Sequence, residues 1–168
     1  RELTAMKWGL VPSWAKDEKM KLINARSETA HEKPSFKNSL RSQRCLIPAD
    51  GFIEWRGTEK QPCYIYLKDQ ALFGFAGLWS TWKNLEGVNL TTYSILTTEA
   101  NENLAPIHAR MPVILPAEQY ETWLAPDSSL DALRSLLTAY PSEEFGFHPV
   151  SKEVNSPKNN LPEILQSL

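Results

Sequence analysis

A chain of 168 residues with 42% hydrophobic content is long enough to bury one sizeable core, which excludes a disordered polypeptide and a disulfide-stapled miniprotein. No apolar run approaches the roughly 18 residues of a membrane span, and the first residues lack a basic-then-apolar secretory pattern, so a single soluble cytoplasmic or nuclear domain with no membrane partner is expected. The net charge of −2 hides an asymmetry: residues 1–60 hold twelve Lys and Arg against eight Asp and Glu (+4), and the remainder six against twelve (−6). Basic character in the first third permits a local anion-binding face, nucleic acid included.

The sequence opens at Arg1-Glu2-Leu3 and reaches a strand-like segment, Met6 to Leu10, almost at once, so it reads as a piece of a longer protein lacking its N-terminal segment. Met6 to Trp14 (MKWGLVPSW) predicts a strand running into a Pro-Ser turn, bracketed by Trp8 and Trp14. Trp14 has two readings, a rim residue of the core or a stacking platform for a base. In INARSET, Asn24 is placed to cap a short helix signalled by Ser27, Glu28 and Ala30. Arg26 is placed either to pair with Glu28 or Glu32 or to bind phosphate bidentately. Phe36 to Arg44 predicts a short helix with a basic surface.

Cys45 to Trp55 (CLIPADGFIEW) reads as a hairpin, a strand followed by a Pro-Ala-Asp-Gly turn and a second strand. In the outgoing strand Phe52, Glu54 and Arg56 share one face, with Ile53 and Trp55 on the other. Glu54 is either a solvated residue paired with Arg56 or a partly desolvated carboxyl whose pKa rises toward the range of a proton donor and acceptor.

After a polar turn, PCYIYLKD, ALFGFAGLWSTW and VNLTTYSILTTEA predict consecutive antiparallel strands. The middle run is apolar on both faces and so central, and Gly74 and Gly77 within it mark a bend or bulge. The fold class that follows is α+β, a curved antiparallel sheet or partial β-barrel flanked by short helices. Pro106 and Pro112 bound a short loop carrying Ile107, His108, Ala109 and Arg110. His108 is either simply exposed or set for proton transfer or phosphate contact. Pro116 to Leu124 and Ser129 to Leu137 read as helices, and Phe145 to Val150 as a closing strand with His148 in the core. The tail wraps the surface. Cys45 and Cys63 lack metal-ligand or CxxC spacing and read as buried thiols. No Gly-rich phosphate loop, metal cluster or Ser-His-Asp pattern is present, so neither metal nor cofactor is expected.

WGLVPSW, INARSET, IPADGFIEW and IHARMP, in this order, with a closing HPVSKEVNSPKNN, resemble the SOS response-associated peptidase (SRAP) family from Trp8 to about Asn160. The resemblance implies a single SRAP-like domain, a monomer that senses abasic sites in single-stranded DNA and forms a covalent DNA-protein crosslink shielding the lesion. It places the nucleophile on a cysteine immediately after the initiator Met. The chemistry is coherent: an α-amine, with a pKa of roughly 7.7 to 8, is partly neutral and forms a Schiff base with the aldehyde of a ring-opened sugar. The adjacent thiol then closes onto the imine as a thiazolidine. Autoproteolytic removal of the Met exposes that amine.

By motif, Asn24 matches the asparagine that hydrogen-bonds the crosslinked residue, Glu54 the active-site glutamate, and His108 the histidine that handles protons at the sugar. Arg26 and Arg110 match phosphate-contacting arginines, and Trp14 an aromatic that supports displaced bases. The family's Met-Cys-Gly-Arg opening is absent from the sequence, Ala15 stands where a second aromatic often follows Trp14, and Lys33 and Pro34 stand near an expected arginine. A noncatalytic single-stranded DNA binder and a cysteine peptidase acting on other proteins are the alternatives.

Overall fold

Alternation of buried and exposed side chains along the strands decides the architecture. The computed structural model describes residues 2–70 and 72–168. Strand β1 is Lys7–Trp8, β2 Asn24–Arg26, β3 Arg44–Ala49, β4 Phe52–Arg56 and β5 Gln61–Leu67. The two longest strands, β6 (Phe73–Lys83) and β7 (Asn89–Glu99), precede β8 (Arg110–Pro112), β9 (Ile114–Leu115) and β10 (Phe145–Pro149). Three short helices complete the fold: α1 Lys37–Ser42, α2 Tyr120–Leu124 and α3 Leu130–Ser135.

A seven-stranded sheet is built on β6 and β7, with β3 on the outer side of β6, β9 also on β6, and β1, β2 and β8 on β7; β4, β5 and β10 form a second, three-stranded sheet. Neither closes into a barrel, and the α+β class expected from the sequence holds. The larger sheet is mixed, because the short strands β1 and β2 join β7 in parallel.

Ala76 and Leu78 of β6 pack with Leu96, Leu40, Trp123 and Leu133, so the helices cover one side of the sheet. Phe73 and Phe75 point the opposite way, into a core with Cys63, Ile65 and Phe145 of the smaller sheet. Double coverage of β6 is why its sequence is apolar on both faces.

Three local expectations are corrected. Strands β3 and β4 do not form a hairpin: β3 pairs with β6, and β4 with β5. The Asp50-Gly51 turn instead carries the chain from one sheet to the other, and Pro48 is tolerated because β3 is an edge strand. Asn24 caps no helix; it begins β2, and Ser27 to Ala30 form a hydrogen-bonded turn closed by Ala30 N–H donating to Arg26 O at 2.9 Å. Gly77 marks a close approach, not a bulge. A Cβ there would fall 2.2 Å from Ile47 Cδ1 and 2.8 Å from Cys45 Sγ, while β6 runs unbroken.

Arg44, at the end of the helix predicted with a basic surface, is buried. Its guanidinium donates to the carbonyls of Trp123 (2.6 Å), Leu40 (3.0 Å) and Ala125 (2.5 Å). It thereby caps carbonyls at the C-terminal ends of α1 and α2. After β10 the tail makes 3-10 turns at Lys152–Asn155 and Pro162–Leu165 and returns to the smaller sheet, where Leu168 N–H donates to Pro149 O at 3.1 Å. Among the described residues no helix is long and apolar enough to cross a membrane.

Candidate functional site

Strand β4 decides where Glu54 goes. Its register sets Glu54 opposite the buried Cys63, and Phe52 opposite the buried Ile65, so this face of the strand looks toward the larger sheet. Phe52 packs edge-on against Phe75 with ring centroids 5.9 Å apart. The Glu54 side chain is 24% exposed. Burial pushes its carboxyl pKa up, opposed by the charge of His108 and by the Trp55 backbone N–H. The side chain it approaches is His108, with Oε1 3.8 Å from Nδ1, an ion pair when the ring is protonated, and not Arg56 of its own strand.

His108 is held by more than its flanking prolines. Between β7 and β8 the chain makes successive turns in which Ala105 N–H donates to Asn101 O (2.8 Å), Ile107 N–H to Leu104 O (2.8 Å) and His108 N–H to Leu104 O (3.0 Å). Leu104 and Ile107 anchor these turns in the core. The imidazole Nδ1 lies 3.1 Å from Arg110 N and 2.9 Å from Arg110 O. An unprotonated Nδ1 accepts from the Arg110 N–H; a protonated one donates to the Arg110 carbonyl and faces Glu54. The ring therefore has a partner in either state and can pass a proton without reorienting. At 48% side-chain exposure, the rest of the ring meets solvent.

Arg110 is engaged inside the protein. Its guanidinium donates to both carboxylate oxygens of Glu28, at 2.7 and 2.8 Å, and to Thr97 O at 2.7 Å. The guanidinium beside Glu28 holds that carboxyl below its ordinary pKa. Sequence proximity pairs Glu28 with Arg26, two residues away, and no local pattern points across 82 residues to Arg110.

Asn24 pairs in register with Ile95, Arg26 with Thr97 and Arg110 with Glu99. These β7 positions alternate along one side of the strand, as does Tyr93, opposite Trp8. Ile95 packs into the core shared with the smaller sheet. Trp8, Asn24, Arg26 and Arg110 thus belong to the side of the larger sheet that faces Glu54. Arg26 is exposed and makes no ion pair among the described residues. Trp8, which sequence reasoning did not select, stacks on Tyr93 with an interplanar angle of 8°. Trp14 sits on a separate turn, 55% exposed.

Neither cysteine is fit to be a nucleophile. Cys63 is fully buried, and burial pushes the Cys45 thiol up to about 12. Among the described residues no three His, Cys, Asp or Glu side chains converge as metal ligands.

A partly desolvated carboxyl facing an imidazole, on the same side of the larger sheet as an exposed arginine and the exposed Trp8 indole, defines a class of site fitted to acid-base chemistry. The sequence signature described as SOS response associated peptidase (SRAP) matches residues 1–157, and the chain belongs to that family. It is 50% identical over 171 residues to the abasic site processing protein YoqW of Bacillus subtilis (strain 168), covering 98% of this chain and 76% of YoqW. It is 37% identical over 193 residues to the abasic site processing protein HMCES of Gallus gallus, covering 98% of this chain and 57% of HMCES. A crystal structure of a protein from Bacteroides thetaiotaomicron superposes with a TM-score of 0.91 at 35% identity, over 97% of this chain and 75% of that one.

Proposed function

We propose that this chain processes abasic sites in single-stranded DNA by forming a covalent DNA-protein crosslink, with Glu54 and His108 as its proton-transfer groups. The observation that carries the reading is the 3.8 Å approach of the Glu54 carboxyl to the His108 imidazole. The names of the relatives support the substrate, and family membership supports the chemistry.

In this reading a terminal α-amine adds to the C1′ aldehyde of the ring-opened sugar, giving a carbinolamine. Glu54, its carboxyl pKa raised by burial, donates to the carbinolamine hydroxyl, which leaves as water as the C=N bond forms, and the carboxylate takes up the nitrogen proton to leave the imine. The cysteine sulfur then bonds to the imine carbon while the thiol proton passes to the nitrogen, closing the thiazolidine. His108 moves the proton that opens the sugar ring. Cys45 and Cys63 are unsuited, and the family resemblance implies an N-terminal cysteine as the nucleophile. The same terminus undergoes autoproteolytic removal of Met.

Asn24 hydrogen-bonds the crosslinked residue, Arg26 contacts phosphate through its free guanidinium, and Trp14 supports the displaced bases. Arg110 contacts phosphate only by exchanging Glu28 for it; in the free protein it holds the loop that carries His108. The test is a denaturing gel of single-stranded DNA with one abasic site, incubated with protein starting at its gene-encoded N-terminus. A slow band that requires the terminal cysteine is expected. DNA binding without such a band would overturn this reading in favour of a noncatalytic single-stranded DNA binder.

A further inference from the structure

The outer face of the smaller sheet carries a second constellation, independent of the Glu54 site. Along β5, Cys63, Ile65 and Leu67 point into the core, so Tyr64 and Tyr66 point away from it. His148 of β10 lies directly opposite Tyr64, and Gly146 opposite Tyr66. Two glycines let the rings lie flat on the sheet. A Cβ on Gly51 would fall 2.4 Å from the Tyr64 ring, and one on Gly146 2.7 Å from the Tyr66 ring.

The two tyrosine planes are within 24° of each other, with centroids 6.0 Å apart. His148 stands 5.7 and 5.8 Å from them, tilted by 53° and 52°. The three centroids form a near-equilateral triangle, so one cation seated over its middle would lie within about 6 Å of every ring. His148 Nε2–H donates to Leu165 O at 2.8 Å, which fixes the imidazole as the wall of the shelf.

Charge decides what the shelf can take. It opens into a groove of about 620 Å³ whose rim carries Asp50 and Asp69. Burial, and after it the neighbouring Asp50 carboxylate, pushes the Tyr64 hydroxyl pKa up, which sets that carboxylate at the edge of the ring. Among the described residues neither carboxylate has a lysine or arginine partner within ion-pair distance. The one lysine on the rim, Lys68, is engaged by a backbone carbonyl, donating to Glu143 O at 2.7 Å. Two unpaired carboxylates disfavour a phosphate backbone, whereas a flat aromatic pair with carboxylates at its edge matches a planar guanidinium, which stacks and donates laterally at once.

We propose that the Tyr64–Tyr66–His148 shelf, with Asp50 and Asp69, is a docking site for an arginine side chain presented by a partner polypeptide. The test is an NMR titration of the protein with the peptide acetyl-Gly-Arg-Gly-amide, following the ring signals of Tyr64, Tyr66 and His148. The comparators are the citrulline peptide, which has the same shape without the charge, and a thymidine oligonucleotide. The arginine peptide should shift all three rings saturably, with the citrulline peptide weaker by about tenfold or more. Asp50→Asn should weaken the arginine peptide by about three- to tenfold. Equal response to the citrulline peptide, shifts caused by the oligonucleotide alone, or no response to any probe would each overturn the assignment. The wild-type titration decides the matter even if the variant folds poorly.

Discussion

Glu28→Gln isolates the device that holds the His108 loop to the sheet. The bidentate Glu28–Arg110 pair is short, and the two side chains are 45% and 22% exposed. Exposed pairs contribute about 0.2–1 kcal/mol, and this one is discounted for solvent screening on the glutamate side. Its double hydrogen bond and the half-buried guanidinium put it at the upper end, about 1 kcal/mol, since glutamine restores one of the two bonds. In a domain of this length that corresponds to a Tm lower by about 2–4 °C.

The pH dependence provides a sharper check. The folded pKa of Glu28 lies below its ordinary value of 4.5, first because of the hydrogen bond from Arg110. Such a group contributes stability that is fully present above the unfolded pKa and is lost as pH falls through the folded one. Urea denaturation should therefore separate wild type from Glu28→Gln at neutral pH. The gap should narrow below about pH 4.5 and close at lower pH. A gap that stays constant across this range, or none at neutral pH, would refute the claim that the charged pair secures the loop.

Other substitutions probe separate parts of the structure. Arg26→Ala should weaken binding of single-stranded DNA to a similar degree for all sequences and reduce the salt slope of log K by about 0.7, as measured by fluorescence anisotropy over a series of salt concentrations. Gly77→Ala should destabilise the domain by about 1–3 kcal/mol in urea unfolding, because Ile47 and Cys45 occupy the space of the new methyl. His108→Gln should raise the Glu54 pKa further, because it removes the charge that opposes burial, and carboxyl ¹³C NMR titration would show the direction.

Much of this fold was legible in the sequence because β5, β6 and β7 carry strong, uninterrupted strand patterns. The face of Glu54 was legible for the same reason: with Phe52 beside it, a period of two leaves a single inward side. The route of the chain between sheets was not legible. Cys45 to Trp55 has the pattern of a hairpin, and only the competition of β6 and β5 for its two strands separates them. Charged residues with distant partners were equally hidden. Arg44 caps carbonyls about eighty residues away, and Arg110 takes Glu28 from the far side of β7, where sequence proximity favoured other pairings. Glu54 and His108 were each selected on local grounds, but their approach depends on how the smaller sheet packs on the larger, a long-range outcome.

The most direct test of the proton-transfer assignment measures crosslinking rate and DNA affinity together, for Glu54→Gln and His108→Gln, with protein starting at its gene-encoded N-terminus and single-stranded DNA bearing one abasic site. The account expects each variant to slow crosslinking by about 10²-fold or more while Kd for the DNA changes less than about threefold. A variant that crosslinks at the wild-type rate, or one whose slower rate is matched by an equal loss of affinity, would contradict it.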